Sequence, residues 1–186
     1  MDLLNGKISK IYFKYLTAAF GSAMISCIYN VVDMAVVGQY QGPNGTAALA
    51  VVAPVWNIIY SLGLFMGVGG SVIFSTIRGK GGDTGEKANK YFTVAVIGSV
   101  VLSIIAWLAL LLFEKPVLTF FGASDEALLN LACRYLTPIK FVFPIFLFNQ
   151  MLAAFLRNDN DPGLATLGVL AGGVFNIFGD LFFISV

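Results

Sequence analysis

Long apolar stretches separated by short polar segments dominate this sequence. Five stretches are long enough to cross a hydrocarbon core of about 30 Å, which takes roughly 20 helical residues. They cover residues 11–37, 46–78, 90–113, 135–157 and 163–186. The pattern therefore predicts an all-α fold, a polytopic membrane bundle of five transmembrane helices.

The segments between these stretches have the composition of loops and turns. Residues 38–45, GQYQGPNG, are dense in turn formers, and residues 78–90, RGKGGDTGEKANK, form a glycine-rich basic turn. Before the fourth span, Ser124 is predicted to cap a helix whose first turn is acidic. Pro138 and Pro144 are expected to bend that helix.

The positions of the basic residues predict the orientation in the membrane, because cytoplasmic loops retain Lys and Arg. Eight of the eleven lie on the side of the N-terminus and three on the other side. The eight are Lys7, Lys10, Lys14, Arg78, Lys80, Lys87, Lys90 and Arg157, and the three are Lys115, Arg134 and Lys140. We therefore expect a multi-pass protein of the plasma membrane with a cytoplasmic N-terminus.

Composition narrows the function classes. The chain is 58% apolar and 11% charged, against roughly 45–50% and about 25% in soluble domains, which argues against a soluble globule. A formal charge of +1 predicts no nucleic-acid partner. The chain has no His, and Cys27 and Cys133 lack the spacing of a zinc site. We expect a protein that is not an enzyme and uses no cofactor.

Two glycines predict a close helix contact. Gly63 and Gly67 follow the pattern of small residues four apart that lets membrane helices approach each other.

Two carboxylates lie inside predicted spans, where each costs about 2.5–3.5 kcal/mol. They are Asp33 and Asp180, and counting along the first and fifth spans places both in the outer half at similar height. Asn30 lies three residues before Asp33 and Asn176 four before Asp180, so each amide shares a helix face with its acid.

These polar groups predict an ion-binding cluster. On the fourth span, Asn149 and Gln150 add amides near mid-depth, and Asn30 and Gln150 are candidates for lining a substrate cavity. Two carboxylates in a low-dielectric cavity can hold a proton near neutral pH. Alternatively, their oxygens and those of Asn149 and Asn176 can bind sodium. A simpler interpretation is that Asp33 reaches the headgroups and the amides only link helices.

Several segments resemble the MATE transporters, the multidrug and toxic compound extrusion family. They are residues 29–38 (YNVVDMAVVG), 47–50 (AALA), 67–88, 155–162 (FLRNDNDP) and 176–180 (NIFGD). The similarity covers essentially the whole chain. It is strongest to the bacterial and archaeal branch, which has an acidic residue on the first helix.

The resemblance implies a cation-coupled antiporter, driven by H⁺ or Na⁺, that exports drugs or organic cations by alternating access between two six-helix lobes. In that branch the coupling site corresponds to Asp33, Asn176 and Asp180, with a fourth-helix asparagine at Asn149. It also implies that residues 1–186 form a single incomplete N-terminal lobe with five of its six helices, and that a C-terminal lobe is missing.

Two alternatives stay open. A lipid-linked precursor flippase of the same superfamily is expected to place Arg or Lys within its spans to bind phosphate, and here only Lys140 lies inside one. A structural membrane subunit would use the glycine faces for packing and would need no buried acids.

Overall fold

The computed structural model describes residues 7–80, 85–159 and 162–185, without the side chains of residues 180, 181 and 183–185. The described chain contains no strand and forms four helices. These are α1 (Ile8–Gly79), α2 (Gly85–Phe120), α3 (Glu126–Asn158) and α4 (Pro162–Ser185). All four are long and apolar enough to cross a membrane. The predicted all-α membrane fold is confirmed.

The described chain has four helices and not the five predicted, because α1 joins the first two predicted spans across a kink within the expected turn at 38–45. This helix has 72 residues and is interrupted at Gly42, whose backbone has φ 64° and ψ −156°. Glycine tolerates positive φ. The proline that follows Gly42 also disfavours helical dihedrals at Gly42 itself. The helix resumes at Pro43, which needs no N–H donor in a first turn. Two helical segments therefore meet at Gly42, within the residues for which the sequence predicts a turn.

Helix α2 is interrupted in the same way near its C-terminal end. Phe113 leaves helical geometry, with φ −117° and ψ 24°. Pro116 lies three residues later, and its ring crowds the carbonyl group of residue 112. The interruption coincides with the residue at which the predicted third span ends, so the apolar part of α2 is followed by a short amphipathic extension.

The C-terminus of α2 is closed by a Schellman motif. Gly122 has φ 111°, its N–H donates to the Thr119 carbonyl at 3.1 Å, and the N–H of Ala123 donates to the Leu118 carbonyl at 3.0 Å. Leu118 and Ala123 are both buried in the core, which is the apolar contact that usually accompanies this motif.

Helix α3 is capped by Asp125 and not by Ser124, which corrects the predicted start. The Asp125 Oδ1 atom accepts a hydrogen bond from the N–H of Leu128 at 2.8 Å. A cap must lie two or three residues before the N–H that it accepts, and the Schellman motif delays the first helical residue to Glu126. The helix then continues through both of its prolines to Asn158.

The chain divides into two compact units. The first combines the chain up to Tyr40 with the chain from Leu156 onward, and the second comprises residues 41–155. The core of the second unit contains the fully buried side chains of Ile59, Leu118, Leu136 and Leu147. Helices α2 and α3 therefore share one apolar core with the C-terminal part of α1.

The close approach predicted at Gly63 and Gly67 is confirmed. A Cβ atom at Gly67 would lie 2.8 Å from the Ala154 Cβ and 2.9 Å from the Met151 Cα. At Gly63 it would lie 2.7 Å from the Gln150 Cβ. These distances are shorter than van der Waals contact, so the two glycines let α1 pack directly on the backbone of α3.

An ion pair links α2 and α3 near the kink in α2. The Lys140 Nζ atom lies 2.5 Å from the Glu114 Oε1 atom, and the two side chains are only 16% and 21% exposed. A shielded ammonium group without a partner would destabilise the fold strongly. Glu114 therefore neutralises Lys140, the one basic residue that lies away from the ends of the predicted spans.

Candidate ion-coupling site

In the first unit, the N-terminal part of α1 packs on α4 through small polar residues. The Thr166 Oγ1 atom lies 3.3 Å from the Ser22 Oγ atom and 3.1 Å from the carbonyl oxygen of Ala18. Ser22 is 8% exposed. Hydroxyl groups that hydrogen-bond across a helix interface meet each other's hydrogen-bonding needs in an apolar environment. This contact therefore sets the position at which α4 first packs on α1.

A second contact lies further along both helices. A Cβ atom at Gly173 would lie 2.8 Å from the Ile25 Cγ1 and 3.2 Å from the Tyr29 Cδ1. Relative to the Thr166 contact, the position has advanced seven residues on α4, from 166 to 173, and seven on α1, from 18 and 22 to 25 and 29. The two segments therefore run in the same direction with a constant register.

If the same register continues for seven more residues, the backbones of residues 33 and 180 lie at one level. A further step of seven residues leads from Gly173 to Asp180 on α4, and from residues 25–29 to residues 32–36, which include Asp33, on α1. Residue 180 lies within helical α4, but its side chain is outside the described residues. The comparison of residues 33 and 180 therefore concerns the helix backbones and not the side chains.

Two of the predicted polar side chains have atoms that are shielded from solvent. The Asp33 Oδ1 and the Asn176 Oδ1 atoms are both buried. Among the described residues, the Asn176 Oδ1 atom has no hydrogen-bond partner. A buried acceptor without a partner costs about 1–3 kcal/mol, so this oxygen is suited to receive a ligand.

The other predicted site residues are distributed over the two units. Asn30 is an exposed residue of α1 in the first unit. Asn149 is exposed and Gln150 half-buried, and both belong to the second unit. The Cβ atom of Gln150 faces Gly63, so the start of this side chain lies in the α1–α3 contact. The assignments of Asn30, Asn149 and Gln150 stay predictions.

The donor types suit a proton or a hard cation. Within residues 7–80, 85–159 and 162–179, no three His, Cys, Asp or Glu side chains come together as metal ligands. Asp33 and Asn176 instead offer carboxylate and amide oxygens, which are the ligands that hard cations prefer. A carboxylate shielded from water can also take up a proton.

Sequence reasoning missed the residues that set the α1–α4 register. Thr166 and Gly173 lie on α4, and Ser22 lies opposite them on α1. The available signal was the spacing of small residues on both segments, Gly21-Ser22 on α1 and Gly172-Gly173 on α4. Small residues favour close helix contacts in membranes, but they do not specify which helices meet.

Four long apolar helices in the described chain define a multi-pass membrane protein, and oxygens of Asp33 and Asn176 are shielded from solvent within two of these helices. The family model of MatE matches residues 18–182, which is most of the chain. The chain therefore belongs to the MatE family, the MATE transporters, and the resemblance noted in the sequence is confirmed.

Individual relatives agree with this assignment. The multidrug export protein MepA of Staphylococcus aureus (strain MSSA476) is 26% identical over 157 residues, which cover 84% of this chain and 34% of that protein. MepA of Staphylococcus saprophyticus subsp. saprophyticus is 24% identical over 158 residues, covering 85% and 34%. The chain thus spans about a third of the length of these curated relatives.

A solved structure has the same fold. Its chain, named only "protein A", superposes with a TM-score of 0.88 at 26% identity, and the match covers 98% of this chain and 41% of that chain. The arrangement of helices is therefore shared over nearly all of the present sequence.

Proposed function

We propose that this chain forms the ion-coupling part of a multidrug efflux antiporter that exports drugs or organic cations across the plasma membrane. Membership of the MatE family and similarity to proteins named for multidrug export support the transport of drugs. The observation that carries the coupling role is the pair of solvent-shielded oxygens on Asp33 and Asn176, which lie on parallel helices. Extended by seven residues, the register of these helices would bring residue 180 level with Asp33.

In the proposed mechanism, H⁺ or Na⁺ enters from outside and binds at Asp33 and Asp180. Binding lowers the cost of holding charged carboxylates in a low-dielectric environment. Because the ion binds one conformation better than the other, it shifts the equilibrium between inward-open and outward-open states. The drug leaves as the ion enters, and a second lobe supplies the opposite wall of the pathway.

Reconstitution tests this proposal. The protein expressed from its complete gene would be inserted into liposomes, and ethidium transport would be followed by fluorescence under an imposed pH gradient or Na⁺ gradient. We expect one of the two gradients to drive ethidium against its concentration. A protonophore should stop transport if the ion is H⁺ and should leave it unchanged if the ion is Na⁺.

Liposomes without a gradient serve as the control, because an antiporter cannot accumulate substrate without a driving ion. Equal ethidium transport with and without gradients would contradict ion coupling. If neither gradient moves ethidium, the proposed antiport of this substrate is contradicted.

We further propose that the N-terminus lies in the cytoplasm, as the excess of Lys and Arg on that side indicates. Exposed positions allow a direct test by cysteine labelling after Cys27 and Cys133 are changed to Ala. In intact cells, a membrane-impermeant maleimide should label Ser124→Cys. It should label Glu86→Cys, at a side chain 81% exposed, only after permeabilisation. The reverse pattern would overturn this orientation.

A further inference from the structure

A cavity of about 490 Å³ opens in the second unit between the C-terminal end of α1 and the start of α2. It is lined by Lys80, Lys87 and Lys90 and by Ile77, Tyr91 and Val94. The cavity therefore combines three ammonium groups with an apolar and aromatic wall. The coupling site uses none of these residues.

The positive charge of this cavity is not balanced within the described part of the chain. The one ion pair there joins the Lys90 Nζ atom to the Glu86 Oε1 atom at 2.9 Å, and its side chains are 70% and 81% exposed. Lys87 and Lys90 also lie at the N-terminal end of α2, where the helix dipole favours anions and disfavours cations. Glu86 compensates one of the three lysines that line the cavity. The remaining positive charge favours the binding of an anion.

The lining changes from charged to apolar in the same direction on both helices. On α2, Lys87 and Val94 are seven residues apart, which is about 10 Å of helix. On the other side of the cavity, Ile77 lies in the last turn of α1 and Lys80 directly follows the end of that helix. The charged parts lie at the ends of the predicted spans and the apolar parts inside them. A ligand that fits this gradient has an anionic head and an apolar tail.

We propose that this cavity binds an anionic phospholipid, with the headgroup phosphate against the three lysines and an acyl chain along Ile77 and Val94. Basic pockets between helix ends at the membrane surface are suited to such headgroups. Free phosphate has the same anionic chemistry, but it would make no use of the apolar wall. The site concerns lipid binding and is independent of the proposed coupling ion.

Native mass spectrometry of the complete protein in detergent tests this site with dioleoylphosphatidylglycerol and dioleoylphosphatidylcholine as probes. The cavity variant carries Lys80→Gln, Lys87→Gln and Lys90→Gln. Each lysine near an anionic lipid contributes roughly fivefold in affinity, so the three together contribute at most about a hundredfold. We expect the variant to lose at least about tenfold of its phosphatidylglycerol binding. Binding of phosphatidylcholine should be weak and unchanged.

The matched control removes the same charge elsewhere, with Lys7→Gln, Lys10→Gln and Lys14→Gln. These lysines are exposed at the start of α1 and lie outside the cavity lining. The control should change phosphatidylglycerol binding less than about twofold, because general attraction to the anionic lipid is screened by salt. An equal loss in both variants would overturn the proposal.

A second variant tests the apolar wall without changing charge. Val94 is 62% exposed, so Val94→Trp should fold normally while its side chain fills the tail region and lowers phosphatidylglycerol binding about tenfold. If the lysine variant does not fold, phosphatidylglycerol binding by Val94→Trp alone tests the proposal. Unchanged binding in Val94→Trp, or complete displacement of the lipid by an excess of inorganic phosphate, would show that the lipid assignment is wrong.

Discussion

Replacing Asp33 with asparagine is expected to abolish gradient-driven ethidium transport while the protein still reaches the membrane in folded form. Asparagine keeps the shape of the side chain but can neither take up a proton nor attract a cation. The substitution removes a carboxylate that costs about 2.5–3.5 kcal/mol at bilayer depth, so stability should be unchanged or higher. Ethidium transport in liposomes measures the first effect, and size-exclusion chromatography of the solubilised protein measures the second.

Asp180→Asn should have the same effect if the two acids act together. A cluster that has lost one carboxylate no longer binds the ion tightly in the conformation that the ion normally favours, so the ion no longer shifts the conformational equilibrium. Glu86→Gln is the matched control. It makes the same chemical change at an exposed acid whose surface ion pair contributes about 0–1 kcal/mol. Normal gradient-driven transport in both aspartate variants would show that neither acid couples ion entry to export.

A methyl group added at Gly67 is expected to destabilise the second unit by about 1–3 kcal/mol. The new Cβ atom would lie 2.8 Å from the Ala154 Cβ and 2.9 Å from the Met151 Cα. A backbone atom cannot move aside as the end of a flexible side chain can, so α1 and α3 must separate. The measurement is the midpoint of thermal unfolding of purified Gly67→Ala in detergent.

Gly69→Ala is the control on the same helix, since a Cβ atom there meets nothing within 4 Å. Alanine favours helix over glycine by about 1 kcal/mol, so this variant should unfold at the same temperature or higher. Adding Ala154→Gly to Gly67→Ala should restore part of the loss, because it removes one of the two close contacts. Equal unfolding temperatures for Gly67→Ala and Gly69→Ala would contradict the described contact.

The candidate site was predictable in its residue types but not in its assembly. Asp33 and Asp180 are conspicuous because ionised groups are expensive in apolar spans. Their similar height follows from counting residues in two spans that cross the membrane in the same direction, and the parallel register of α1 and α4 agrees with it. The sequence had no comparable signal for the facing positions, Ser22 against Thr166 and Tyr29 against Gly173.

The sequence by itself determined the membrane class and the family, and it set the local backbone restrictions beside which two helices are interrupted. These properties depend on local chemistry. The free energy of transferring apolar side chains from water into lipid adds up along each stretch, and Pro43 and Pro116 restrict the backbone beside them. It also predicted a turn over residues 38–45, where the structure has a kink at Gly42 between two helical segments of α1.

Only the tertiary structure decided which distant groups meet. It pairs Lys140 with Glu114, packs Gly67 on Met151 and gathers the lysines on either side of the α1–α2 connection around one cavity. The physical reason is that such pairings depend on the shapes of two helix surfaces far apart in the chain. Periodicity within one helix shows that a surface can pack closely, but it does not identify the surface that it packs against.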